Sequence, residues 1–150
     1  MGVISKISDS EPWEAPPAGW SVAVVCDAVD LGLRNQGFGE KHYVEIRWQL
    51  PYRNARNERL IVRRRYVNSL HAKAWLRKHV ELMLGRELTE GELRGFDLET
   101  LIGLSVNIDI RLHTKEDRVY ADAYDVAPLG DSHEGLEVDP AYVREAARRR

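Results

Sequence analysis

The chain has 150 residues, 43% apolar and 31% charged, with a formal net charge of −2. That composition belongs to an ordinary globular domain rather than a disordered chain, and its length suffices to bury about 68–70% of the surface of the unfolded chain. Cys26 is the sole cysteine; this excludes a disulfide scaffold and a thiolate zinc site and points to a reducing cytoplasm. The longest apolar stretch, Val22–Cys26, is too short to span a bilayer, and Asp9, Glu11 and Glu14 stand where a signal peptide needs an apolar core, so neither membrane insertion nor export is expected.

Residues 1–19 hold Pro12, Pro16, Pro17 and Gly19 without sustained periodicity and read as a flexible N-terminal arm, which Trp13 and Trp20 could pin to the body. Trp20 to Leu31 is rich in β-branched and small residues, a first strand apolar on both faces. Gly32, Gly37 and Gly39 mark the loop after it. His42 to Leu50 alternates: Val44, Ile46, Trp48 and Leu50 point inward, and Tyr43, Glu45, Arg47 and Gln49 outward to solvent. Pro51 is expected to stop this second strand. A polar, basic link leads to a third strand, Leu60 to Val67, with Tyr66 on its core side.

A helix follows, capped by Asn68 or Ser69, with Ala72, Leu76, Val80 and Met83 at helical spacing and Gly85 as its stop. Thr89 to Glu92 forms a capping box for a second short helix, and Asp97 caps a third turn. Leu104, Val106, Ile108, Ile110 and Leu112 then alternate with polar residues as a fourth strand. Thr114 to Asp117 is a turn, and Arg118 to Val126 a fifth strand carrying Tyr120 and Tyr124 on one face. Three strands, a helical insertion and two strands is the element order of an OB-fold, so the expected fold is mainly β, a five-stranded antiparallel barrel over residues 20–129 with helices between strands three and four. Residues 130–150 read as a C-terminal tail, partly helical.

The charge is unevenly spread. Residues 31–78 carry twelve basic and three acidic side chains, a net +9, against −4 over residues 1–30 and −5 over 79–110. A basic middle third attracts polyanions, unless its arginines merely pair with the acidic flanks as a solvated face.

No phosphate loop, nucleophile elbow or His-Glu-x-x-His sequence is present. The five histidines are scattered, so no metal or other cofactor is expected. Glu45-Ile46-Arg47 and Asp109-Ile110-Arg111 mimic nuclease triplets only weakly, and Cys26 on a strand is a small buried hydrophobe. The chain therefore reads as a binding protein rather than an enzyme. Single-stranded nucleic acid is held by a positive groove with aromatic platforms. On an OB barrel that groove lies over strands two and three and the first and last loops. The residues so placed are Arg34, Lys41, Tyr43, Arg47, Tyr52, Arg53, Arg56, Arg59, Arg63, Arg65, Lys115 and Arg118, with Tyr43 and Tyr52 as stacking candidates and the arginines suited to both phosphate and base.

The stretch from Tyr66-Val67-Asn68-Ser69-Leu70-His71 through Leu76-Arg77-Lys78, Gly85 to Leu93, Gly95-Phe96-Asp97-Leu98 and Leu101-Ile102-Gly103, with Val29-Asp30-Leu31-Gly32 upstream and Val126-Ala127-Pro128-Leu129 downstream, resembles a family of small, OB-fold-like phage and prophage proteins found among replication and recombination genes. The resemblance implies a setting in phage DNA metabolism, in the host cytoplasm. The tail departs from that of housekeeping single-strand binding proteins, because Asp131, Glu134, Glu137 and Asp139 are followed by Arg144, Arg148, Arg149 and Arg150.

The expected partner is thus single-stranded DNA, together with replication or recombination proteins; a homo-oligomer is compatible with the pattern. A protein-interaction module using the same basic face is the alternative, either a replisome adaptor or an inhibitor of a host factor, and a metal-dependent nuclease is third.

Overall fold

The computed structural model of the protein describes residues 15–35, 37, 39–130 and 134–148. Residues 1–14 of the expected N-terminal arm lie outside the described residues, as do Arg149 and Arg150. The five strands are β1 (Gly19–Asn35), β2 (Glu40–Arg53), β3 (Arg59–Val67), β4 (Ser105–Lys115) and β5 (Arg118–Pro128). They close into a barrel in the order β1-β2-β3-β5-β4, the OB-fold-like architecture that the element order implies. Between β3 and β4 lie α1 (Trp75–Leu84), α2 (Glu90–Arg94) and a 3-10 turn (Leu98–Leu101); α3 (Glu145–Arg148) lies near the C-terminus.

Closure rests on the length of β1. Its first part, Gly19–Val24, pairs with β4, and from Val24 to Asn35 it pairs with β2, so one strand serves both neighbours. The opposite seam is thin: β3 and β5 run parallel and share a single paired position, Arg63 with Asp122. The core follows the alternation of the sequence. Ile46, Trp48 and Leu50 of β2, Val62 and Tyr66 of β3, Ile108 and Ile110 of β4, and Leu76, Val80 and Met83 of α1 form one buried cluster.

Several local features depart from the sequence expectation, each for a physical reason. β2 continues through Pro51 to Arg53, because the irregularity between Gln49 and Arg53 absorbs the missing donor. α1 begins at Trp75 with no side-chain cap; Ser69 instead accepts the His71 N–H in the preceding turn. Gly85, at φ 73°, does close the helix, and Thr89 and Glu92 form the reciprocal capping box. Leu112, on the apolar register of β4, is 39% exposed, because β1 stops pairing with β4 at Ile110 and the β4–β5 hairpin projects beyond the barrel. Among the described residues no helix is long and apolar enough to cross a membrane.

Candidate nucleic-acid interface

The alternation of β2 predicts that its outward side chains meet water. Glu45, Arg47 and Gln49 are instead 3%, 6% and 2% exposed, because residues 134–148 run across them. The covering segment is held by polar contacts along its length. Ser105 Oγ donates to the Leu136 carbonyl (2.7 Å) and accepts the Leu136 N–H (2.9 Å). Gln49 Oε1 accepts the Asp139 N–H (2.8 Å), Arg53 donates to the Asp139 carboxylate (3.1 Å), and Arg59 donates to the Glu137 carbonyl.

Its main anchor is Asp27. An extra residue at Cys26 shifts the register between Val25 and Asp27 and leaves Asp27 paired with Arg47 on the outer face. Asp27 Oδ1 accepts the Ala28 N–H (2.9 Å) and Arg144 Nε (2.6 Å), while Oδ2 accepts the Tyr142 hydroxyl (2.7 Å) and the Glu145 N–H (2.8 Å). Burial opposes the charge on this carboxylate, but the Glu145 amide, the Tyr142 hydroxyl and Arg144 outweigh it and hold its pKa below the ordinary value. Arg47 is gripped in the same way, by Glu45 at 2.7 Å and Glu145 at 2.9 Å. Burial disfavours its cation, yet bonds to Tyr142, Glu45 and Glu145 raise its pKa further.

The structure brings Arg47, Arg63 and Arg65 onto one wall: in the β2–β3 ladder Arg47 faces Arg63 and Glu45 faces Arg65. It leaves them unequally available. Arg47 is sealed under the C-terminal segment, and Arg53 and Arg59 hold that segment down. Arg65 is half-exposed and 3.3 Å from the Glu45 carboxylate that Arg47 also uses. Among the described residues Arg63, on the exposed face of β3, makes no ion pair; Lys115 and Arg118, beside the last turn, make none either. Arg34 and Lys41 face each other near the far end of the β1–β2 hairpin, with Tyr43 paired to Gly32 two rungs nearer the barrel. Arg56 is exposed in the β2–β3 link. Tyr52 is turned away from the arginine wall, into a groove of about 530 Å³ with Trp20, Val22, Pro51, Asn107 and Ala127.

An open groove of about 690 Å³ lies over the thin β3–β5 seam. One side carries Arg63, Arg64 and Arg65 together with the Glu45 carboxylate, Arg64 donating across the seam to the Ala123 and Tyr124 carbonyls; the other carries Tyr120, Asp122 and Tyr124 of β5 and His113 of β4. The Tyr120 ring stacks on His113, centroids 5.3 Å apart and planes 18° from parallel. The Arg111 guanidinium lies 4.1 Å from the centre of the Tyr124 ring. Both tyrosines remain accessible, at 40% and 56% exposed. A second groove of about 720 Å³ continues past Arg63 to Arg118, Val119 and Tyr120. Arg111, His113, Tyr120 and Tyr124 are additions to the sequence-derived set. Their signal was the shared face of Tyr120 and Tyr124 on the fifth strand, which gains meaning only once β5 is seen beside β3.

The carboxylates of the nuclease-like triplets are bound to their own arginines: Glu45 to Arg47, and Asp109 to Arg111 at 3.0 Å. Among the described residues no group of three or more His, Cys, Asp or Glu side chains is placed to hold a metal ion. Cys26 is fully buried, and burial together with the neighbouring Asp27 charge pushes its thiol up to about 12, so a thiolate nucleophile is not available there. No protein-family model matches the chain, and no curated protein matches it.

Proposed function

We propose that the barrel binds single-stranded DNA, without catalysing a reaction on it, along the groove over the β3–β5 seam. The observation that carries this reading is the placing of Arg63, free of any carboxylate among the described residues, across an open groove from two exposed tyrosines. Cations for phosphates facing flat rings for bases is the combination that single strands require and a duplex cannot use. Lys115 and Arg118 on the projecting hairpin extend the positive path. The resemblance of the helical insertion to phage and prophage proteins supports a role in phage DNA replication or recombination, in the host cytoplasm. The test is a titration of labelled oligo-dT and a matched duplex at several salt concentrations. Oligo-dT is expected to bind at low salt, more tightly than duplex. Absence of binding overturns the reading, and equal affinity for duplex reduces it to general polyanion binding.

A second reading is favoured by the C-terminal segment itself. Asp139 and Glu145 dock on Arg53 and Arg47, so this arginine wall already accommodates an acidic polypeptide. A protein-interaction module would use Arg63 and Arg65 in the same way. Charge reversal at both positions would then abolish capture of a protein partner while leaving oligonucleotide affinity unchanged.

A further inference from the structure

The groove contains a feature that phosphate binding does not explain. Asp122, an acid, sits between Tyr120 and Tyr124 on the aromatic side of a cationic channel. Its Cα is paired with that of Arg63 across the seam, yet no ion pair joins the two side chains. Its partner is His113, whose Nδ1 is 3.0 Å from Oδ2, with both side chains about half exposed. Such an exposed pair is worth little, and a carboxylate has about four acceptor positions, so the group retains capacity toward a ligand.

Its position relative to the rings defines what that ligand offers. Two residues along a strand advance about 6.8 Å. His113 covers one face of the Tyr120 ring, so a base takes the open face, and in the inferred pose its edge lies toward Asp122. A carboxylate only accepts hydrogen bonds. Guanine offers two parallel donors, N1–H and the N2 amine, matching the two carboxylate oxygens. Cytosine and adenine each offer one exocyclic amine. Thymine offers a single N3–H flanked by two carbonyl oxygens that repel a carboxylate. Resting on the single-strand reading, we infer that Asp122 selects a guanine on the Tyr120 platform by accepting from its Watson–Crick edge, making the preferred ligand a guanine-containing single strand.

The experiment is fluorescence anisotropy with four labelled heptamers, all thymine except for a central T, G, C or A, on the full chain at low salt; a single guanine per strand prevents quadruplexes. The guanine heptamer is expected to bind about tenfold more tightly than the all-thymine one, within the discrimination of a bidentate contact. Asp122→Asn is expected to remove that preference while binding the all-thymine heptamer more tightly, because a negative charge has left the channel. Asp122 is exposed, so the variant folds as the parent does, which circular dichroism checks. Equal binding of all four strands, or a guanine preference that survives Asp122→Asn, overturns the inference and leaves the single-strand reading standing. A cytosine preference lost in the variant overturns guanine as the ligand. Failure of every heptamer to bind overturns the single-strand reading itself.

Discussion

Replacing Asp27 by Asn isolates the anchor of the C-terminal segment with almost no change of volume. Each carboxylate oxygen accepts two hydrogen bonds: Oδ1 from Ala28 and Arg144, Oδ2 from Tyr142 and Glu145. An amide has only one oxygen. Its least damaging orientation keeps that oxygen toward Ala28 and Arg144 and turns the NH₂ toward Tyr142, whose hydroxyl can rotate to accept. The Glu145 N–H then faces a donor, and the Arg144 bond loses its charge assistance. An unsatisfied buried amide costs roughly 1–3 kcal/mol and a charge-assisted bond exceeds a neutral one by about 1 kcal/mol, so the variant is expected to lose about 3 kcal/mol. That is a large share of the roughly 5–15 kcal/mol typical of a domain. Urea unfolding measures the loss, and limited proteolysis reports whether residues 134–148 detach first. A loss under about 1 kcal/mol with unchanged cleavage would refute the anchoring role. The pH dependence follows from the same group. Its folded pKa lies below the ordinary value of 3.8, so its stabilisation is complete above that value and disappears as the pH falls through the lowered folded pKa.

His79 gives a separate, higher window. It is fully buried, with Nδ1 2.6 Å from the Tyr66 hydroxyl, and burial reinforced by Arg64 lowers its pKa to about 4 from 6.5; stability is expected to be flat above pH 6.5 and to fall by about 3 kcal/mol between pH 6.5 and 4, a slope that His79→Phe removes in urea titrations at fixed pH. Arg63→Ala is expected to weaken oligo-dT binding and to reduce the slope of log affinity against log salt by about 0.7, one single-strand phosphate contact. The β4–β5 turn places Glu116 and Asp117 at φ 53° and 62°; Glu116→Asn with Asp117→Gly is expected to raise stability by about 1 kcal/mol, measured by thermal melting. The Cys26 thiol is expected to react with Ellman's reagent at the rate of unfolding, and faster reaction in the native protein would refute its burial.

The fold was legible wherever a strand keeps one face in the core. The alternation of Val44, Ile46, Trp48 and Leu50 placed β2 correctly, and Tyr66 falls inside as its register requires. Caps with a local geometry were legible too, since Thr89 and Glu92 need only each other. Ser69 has the right chemistry for a cap, but the chain spends it on a turn before the helix, and only tertiary packing decides where α1 starts. The bulge at Cys26 left no mark in the alternation, because β1 is apolar on both faces. The exposure of Leu112 depends on where β1 begins, information that lies some ninety residues away in the chain.

The candidate site was less legible, and the reason is long-range pairing. The sequence places Arg47, Arg53, Arg59, Arg63 and Arg65 on one wall, and the β2–β3 register puts Arg47 and Arg63 side by side. Nothing local tells that Glu145 and Asp139, more than eighty positions later, come back to the first two of them. Arg47 and Arg63 are alike in residue type and face and stand opposite each other on neighbouring strands; they differ in that one lies beneath the segment and the other beyond its edge.

On the proposed single-strand reading, that edge also decides where a polynucleotide can lie. Lifting the segment would free Arg47 and Arg53, but it would also expose Asp27 and Glu45 on the same wall, a pair of carboxylates facing the phosphates. It would break three of the four bonds at Asp27, those from Tyr142, Arg144 and Glu145, and leave the Arg47 charge with only Glu45 at close range. Removing one partner from a buried charge network costs several kcal/mol, and phosphates arriving beside two carboxylates recover only part of that. The β3–β5 seam needs no such rearrangement. Arg63 and Arg65 already face solvent and the rings of Tyr120 and Tyr124 are already exposed, so on the proposed reading the path of least cost for a single strand runs over the thin side of the barrel.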